Sequence, residues 1–238
     1  HFTAADPYRR RVIQMGESPE TVFNVGAVGL DHLLRNVTLG QDNPSTRLGF
    51  QLQEPYFLVT YHPVTLANED PEMIFREMIA ALNQFPNYQI ILTYPNADNG
   101  GRTIIPILED YARHQSNRVL AIPSLGSQNY LSALRRAAAV IGNSSSGIIE
   151  APSFGVPTVN IGARQRGRLS AQSVLHCETN TDAIATAIRT AVSPDFTAHC
   201  RNVTNPYGQG NAAKQIVHIL ENHAGPFIKH FYNLEPHS

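Results

Sequence analysis

The segment Gly142-Asn-Ser-Ser-Ser-Gly-Ile-Ile-Glu150 concentrates residues that can do chemistry. The short apolar run Ala139-Val-Ile-Gly142 ends in three small hydroxyl residues that lead into the start of a helix. Unpaired N–H groups and the dipole at a helix N-terminus favour an anion, and Ser144, Ser145 and Ser146 add donors without bulk. The ordinary use of one Ser at such a point is an N-cap, with Ser146 as its candidate. Three in succession after a strand favour phosphate. Glu150 falls about one helical turn further on, where a carboxylate can accept hydrogen bonds from a ribose diol. An exposed helical Glu is the equally ordinary alternative. Pro152 must kink or end that helix, which would aim Glu150.

Other candidates stand at the ends of apolar runs. His62 follows Tyr56-Phe-Leu-Val-Thr-Tyr61 and precedes Pro63, in a restrained loop where an imidazole can donate to phosphate or act as an acid near neutral pH. Arg164, Arg166 and Arg168 follow Pro157-Thr-Val-Asn-Ile161, and guanidinium forks suit phosphate or carboxylate. Spacing does not choose among the three, and a solvated basic loop is the alternative. Tyr130, expected at the start of a helix, could stack on a base or simply pack in the core. The chain lacks the spacing of a zinc site, a P-loop and a GxGxxG loop, so metal and nicotinamide chemistry are not expected and no cofactor is assigned.

The elements that must position these residues alternate. Strands are predicted at 56–61, 88–94, 118–122, 139–142, 157–161 and 173–177. Helices are predicted from Asp70-Pro71 with Ile74, Met78, Ala81, Leu82 and Phe85 inward, over 103–115, over 129–138, after Ser146, and over 181–192. Strands joined by crossover helices make an α/β, Rossmann-like parallel sheet whose ligands bind beyond the strands' carboxyl ends. The first residues differ: a helix from Asp6-Pro7 to about Met15, a strand at 22–25 and a helix at 29–35 bury too little to stand alone. They are expected to be the tail of a preceding domain, with upstream sequence implied by the start at His1. Residues 37–54 are expected to form a linker. A final helix, capped by Asn211, should carry Ile216, Val217 and Leu220 on one side. The domain expectation is therefore 1–49, 50–205 and 206–238.

With 238 residues, 42% hydrophobic and 16% charged, the chain holds enough apolar material for a full α/β domain. A net charge of −1 and a pI near 6.9 offer no broad footprint for nucleic acid or an anionic membrane. Two cysteines and no apolar run of about 20 residues point to a soluble protein of a reducing compartment, the cytoplasm. Asn36-Val-Thr, Asn143-Ser-Ser and Asn202-Val-Thr match the glycosylation pattern and are taken as coincidence.

Four of these segments, Tyr61-His-Pro-Val-Thr65, Tyr94-Pro-Asn-Ala-Asp98, Gly142 to Glu150 and Gly162-Ala-Arg-Gln-Arg-Gly-Arg168, resemble the hydrolysing UDP-N-acetylglucosamine 2-epimerases of sialic acid biosynthesis, as do Phe2 to Asp31 and Asn205 to Gly210. The resemblance implies a GT-B-like pair of Rossmann-like domains, of which this chain is the C-terminal one with a remnant of the first. It implies UDP and a UDP-sugar as partners, with Ser144, Ser145 and Ser146 on the diphosphate, Glu150 on the ribose and Tyr130 near the uracil. His62 would lie by the leaving oxygen with Arg164 nearby, and Asn96 and Asp98 in a cleft loop. The implied reaction eliminates UDP to a 2-acetamidoglucal and hydrates it to N-acetylmannosamine, using carboxylates of the first domain, which also carries homo-oligomer contacts. His-Pro-Val-Thr resembles the hydrolysing branch. Non-hydrolysing epimerases, enzymes of 2,4-diacetamido sugars, GT-B glycosyltransferases and a non-catalytic sensor are the competing readings.

Overall fold

The computed structural model describes residues 1–36, 50–64, 70–96, 101–223 and 228–234. The chain divides into two compact units, Gly40–Thr204 and the pair of segments His1–Leu39 with Asn205–Ser238.

In the Gly40–Thr204 unit, six parallel strands run in the order β5-β4-β3-β6-β7-β8. They are β3 (Tyr56–Thr60), β4 (Gln89–Thr93), β5 (Val119–Ile122), β6 (Ala139–Gly142), β7 (Thr158–Ile161) and β8 (Val174–Cys177). Every residue of β3 and β6 is buried, as expected of strands covered on both faces. Successive side chains point to opposite faces. Phe57 and Val59 enter one core with α3 (Pro71–Leu82), α4 (Gly101–His114) and α7 (Thr181–Ala191), while Tyr56 and Leu58 enter another with α5 (Gly126–Arg136). The expected α/β parallel sheet is therefore present.

Local chemistry accounts for the helix starts. Asp70 caps α3 by accepting from Glu72 N–H at 2.9 Å, and Pro71 takes the first helical position. Glu77 on α3 accepts from the N–H and hydroxyl of Thr181, joining α3 to the start of α7. The α4 helix begins at Gly101 rather than Thr103, and Pro106 lies inside it. The α5 helix begins at Gly126, three residues before the expected start at Asn129, because Ser124 Oγ accepts from Gly126 N–H at 3.1 Å and Gly126 takes φ +66. Tyr130 is thus in its second turn. Of the expected linker, residues 37–49 lie outside the described residues, while Leu52 is buried in the second core. The short α8 (Pro194–Cys200) follows α7.

The other unit pairs β1 (Phe2–Thr3) with β2 (Phe23–Asn24) in parallel and holds α1 (Asp6–Gln14), α2 (Asp31–Asn36) and α9 (Ala212–Asn222). The cap of α9 corrects the expectation. Asn211 makes no side-chain cap bond, and the Asp31 carboxylate instead accepts from Ala212 N–H at 2.9 Å and Ala213 N–H at 2.8 Å. A charged acceptor on two N–H groups satisfies the helix end better than one amide oxygen, and Asn211 Oδ1 is taken by Gln215. Val217 and Leu220, on the apolar side expected of this helix, are 53% and 64% exposed. Among the described residues no helix is long and apolar enough to cross a membrane.

Candidate functional site

From β3 the chain moves outward in one direction through β4 and β5, then returns to β6 beside β3 and moves the other way through β7 and β8. The carboxyl ends of β3 and β6 therefore flank the topological switch point, the place where open α/β sheets bind their ligands. His62 lies two residues beyond β3, Asn143 and Ser144 directly follow β6, and Arg164 follows β7. Gly142 permits the approach of the two strand ends. Its φ is +129, and a Cβ there would stand 1.9 Å from Thr60 O.

The serine loop takes the form the residues suggest, displaced by two positions. Ser144, not Ser146, is the N-cap of α6 (Ser145–Ile149), with Oγ accepting from Ser146 N–H at 3.4 Å. An extended Ser144, at φ −71 and ψ 144, lets the helix begin at once, so Ser146 lies inside it. All three serines are partly exposed. The Ser146 hydroxyl donates to the Glu150 carboxylate through a short hydrogen bond one turn on. Glu150 ends α6, and Ala151–Phe154 continues as a 3-10 turn containing Pro152.

Tyr130 packs against the second core with its hydroxyl buried beside Ser146, Thr60 and Glu150, without hydrogen-bond geometry to any described residue. Burial pushes its phenol up to about 12; the hydroxyls of Ser146 and Thr60 oppose the shift and the charge of Glu150 adds to it. Thr60 also pairs with Thr93, Oγ1 to Oγ1 at 2.6 Å, at the ends of β3 and β4.

His62 is 7% exposed, and its Nδ1 accepts from Asn96 N–H at 3.1 Å. In the neutral ring the proton consequently resides on Nε2. Asn96 thus meets His62 through its backbone, and Asp98 lies outside the described residues. Arg164 Nη1 donates to Asn143 O at 3.0 Å, which separates it from its neighbours. Arg166 and Arg168 instead line a polar cleft of about 390 Å³ with Gln165, His176 and Glu178.

Sequence reasoning missed Asn143. Its side chain is buried, accepts from His62 N–H and donates to His62 O, each at 2.7 Å. A polar residue directly after a buried strand, inside the Gly142 to Glu150 segment, is the available signal, but residue type alone gives it no role beside the serines. The assembled groups are hydroxyl and N–H donors, a guanidinium, an imidazole and one carboxylate, a set that suits an anion linked to a diol. Among the described residues no group of three or more His, Cys, Asp or Glu could hold a metal.

A family described as UDP-N-acetylglucosamine 2-epimerase matches residues 1–221 of this chain. The chain belongs to that family. Two relatives are both named as hydrolysing UDP-N,N'-diacetylbacillosamine 2-epimerases, the first also for the GDP form. One, from Campylobacter jejuni, is 37% identical over 76% of this chain and 47% of its own length. The other, from Legionella pneumophila, is 34% identical over 93% of this chain and 57% of its own. The Escherichia coli polysialic acid biosynthesis protein P7 is 34% identical over 96% of this chain and 57% of its own length. The chain thus spans about half the length of these curated relatives. Among solved structures, the Methanocaldococcus jannaschii UDP-GlcNAc 2-epimerase superposes with a TM-score of 0.72 at 19% identity, over 93% of this chain and 60% of that one, a likeness of fold. Membership of this family and the likeness of fold account for the parallel sheet.

Proposed function

We propose that the Gly40–Thr204 unit is the UDP site of a hydrolysing 2-epimerase that acts on a UDP-linked 2-acetamido sugar. The observation that carries this reading is the convergence of His62, the Ser144–Ser146 loop and Arg164 around Asn143 at the β3/β6 switch point. In this reading the serines and the first N–H groups of α6 hold the diphosphate, and Arg164 balances its charge. Glu150 exchanges its bond from Ser146 for the ribose diol, and Tyr130 lies on the uracil side. His62 donates from Nε2 to the oxygen that leaves with the diphosphate as the C1–O bond breaks and C2 loses its proton. Water then adds to the glycal, and the 2-epimeric sugar and UDP are released.

The acid and base at C2 are assigned to sequence outside this chain, in a first domain of which His1–Leu39 and Asn205–Ser238 form a part. The chain alone then binds UDP and turns over little. N-acetylglucosamine is the sugar of the first reading, with N-acetylmannosamine as product. The likeness to the Campylobacter jejuni and Legionella pneumophila enzymes supports a second, in which the sugar is 2,4-diacetamido-substituted.

Calorimetric titration of UDP into the chain, beside Ser144→Ala and Glu150→Ala, tests the site. Each variant removes a hydrogen bond to a charged group, worth about 1.5–3 kcal/mol, so Kd should rise by about ten-fold or more. Unchanged affinity in both variants would remove the serine loop from the site. For the full-length protein, UDP release that needs only water supports the epimerase, release that requires an added acceptor points to a glycosyltransferase, and an intact UDP-sugar points to a sensor.

A further inference from the structure

We propose that Asn143 is a positioning residue that holds the His62 imidazole in one orientation and joins it mechanically to the serine loop and Arg164. Four groups of this one buried residue are engaged. Its N–H donates to Thr60 O at 3.1 Å, and its carbonyl accepts from Arg164 Nη1 at 3.0 Å and Gln165 Nε2 at 2.8 Å. Its side-chain amide accepts from His62 N–H and donates to His62 O, each at 2.7 Å. The residue therefore ties together the carboxyl ends of β3, β6 and β7.

The two-fold contact with His62 has a geometric origin. The β3/β6 ladder ends with Thr60 opposite Gly142, whose φ of +129 turns the backbone out of strand geometry. Beyond that point the Asn143 side chain replaces a peptide unit, because a carboxamide carries one carbonyl and N–H donors at the spacing a backbone would offer. Asp lacks the donor and Ala lacks both groups. Pro63 already confines His62 to extended backbone. With its N–H and C=O held by Asn143 and its Nδ1 by Asn96 N–H, the imidazole has fixed backbone and ring anchors. Because Ser144 is the next residue, a shift of the serine loop must also shift His62.

The consequence for catalysis rests on the UDP reading above, whereas the orientation of His62 does not. Long-range proton–nitrogen correlation spectra of the histidine rings, with His62 assigned by its loss in His62→Gln, read the tautomer of the neutral ring directly. The unsubstituted chain should show the Nε2-protonated form. Asn143→Asp and Asn143→Ala should move the His62 ring nitrogens toward an average of the two tautomers, and Asn143→Ala should weaken UDP at least ten-fold. Ile188→Val, in the core on one face of the sheet, should lower stability and leave the His62 signals in place. Wild-type ring shifts in folded Asn143 variants would overturn the proposal; if Asn143→Ala fails to fold, the isosteric Asn143→Asp decides alone. Absence of UDP binding by the unsubstituted chain would remove the functional reading while the ring spectra still decide the role of Asn143.

Discussion

Replacing Gly142 with alanine should damage both the fold and the candidate site, by an amount that can be worked from two observations. The new Cβ would lie 1.9 Å from Thr60 O and 2.7 Å from Thr60 C, backbone atoms of the neighbouring strand that cannot rotate away. The φ of +129 is a conformation L side chains rarely adopt, worth about 1–3 kcal/mol of strain. Relieving the clash separates the ends of β3 and β6, for which overpacking costs of about 1–3 kcal/mol are the guide. Together these give roughly 2–6 kcal/mol, a large part of the about 5–15 kcal/mol that stabilises a typical domain. Gly147→Ala is the comparison: its Cβ would meet Thr158 Cγ2 at 2.7 Å, a side-chain contact, inside a helix that favours Ala over Gly by about 1 kcal/mol. Urea denaturation followed by circular dichroism, suited to a chain without tryptophan, should rank Gly142→Ala well below Gly147→Ala. Equal midpoints for the two variants, or a Gly142→Ala chain with unaltered His62 signals, would refute the close approach of the two strand ends.

Three further outcomes follow from other parts of the structure. Asp31→Ala should cost about 1–2 kcal/mol and remove amide-exchange protection from the first turn of α9, while Asn211→Ala should have little effect, since the capping bonds come from Asp31. The Glu77 carboxyl is held below its ordinary value of 4.5 by the hydroxyl and N–H of Thr181. Its contribution to stability is therefore present above about pH 4.5 and is lost as pH falls through the lower folded value, so Glu77→Gln should flatten the acid limb of a stability profile. Burial, with the Glu178 charge second, pushes the Cys177 thiol up to about 12, and burial pushes Cys200 up to about 11; both should resist iodoacetamide at pH 8 and react once urea unfolds the chain.

Much of the sheet was legible because its signals are local. Tyr56 to Thr60, Gln89 to Thr93 and Ala139 to Gly142 are apolar runs of strand length, and Asp70-Pro71 and the Ser144 region announce helix starts through groups within three residues. Boundaries failed where a weaker local signal won. The Ser124 hydroxyl and a left-handed Gly126 started α5 early, which placed Tyr130 in its second turn rather than at its start, with its hydroxyl buried. Capping of α9 failed for a different reason, since Asp31 is 181 residues from Ala212.

Residue types alone determined what each part of the candidate site could donate or accept: hydroxyls for an anion, a carboxylate for a diol, a guanidinium for phosphate. They also determined that strands and helices would alternate, because burial on both sheet faces and a helical stripe require those patterns. Only tertiary structure decided which groups meet. The choice of Arg164 over Arg166 and Arg168 arises where the end of β7 lies beside that of β6, and the grip of Asn143 on His62 across 81 positions arises because the chain reverses its direction across the sheet between β5 and β6. That reversal brings β6 against β3, and a hydrogen bond of about 2.7–3.2 Å cannot be inferred from separation in sequence when strand order sets the distance.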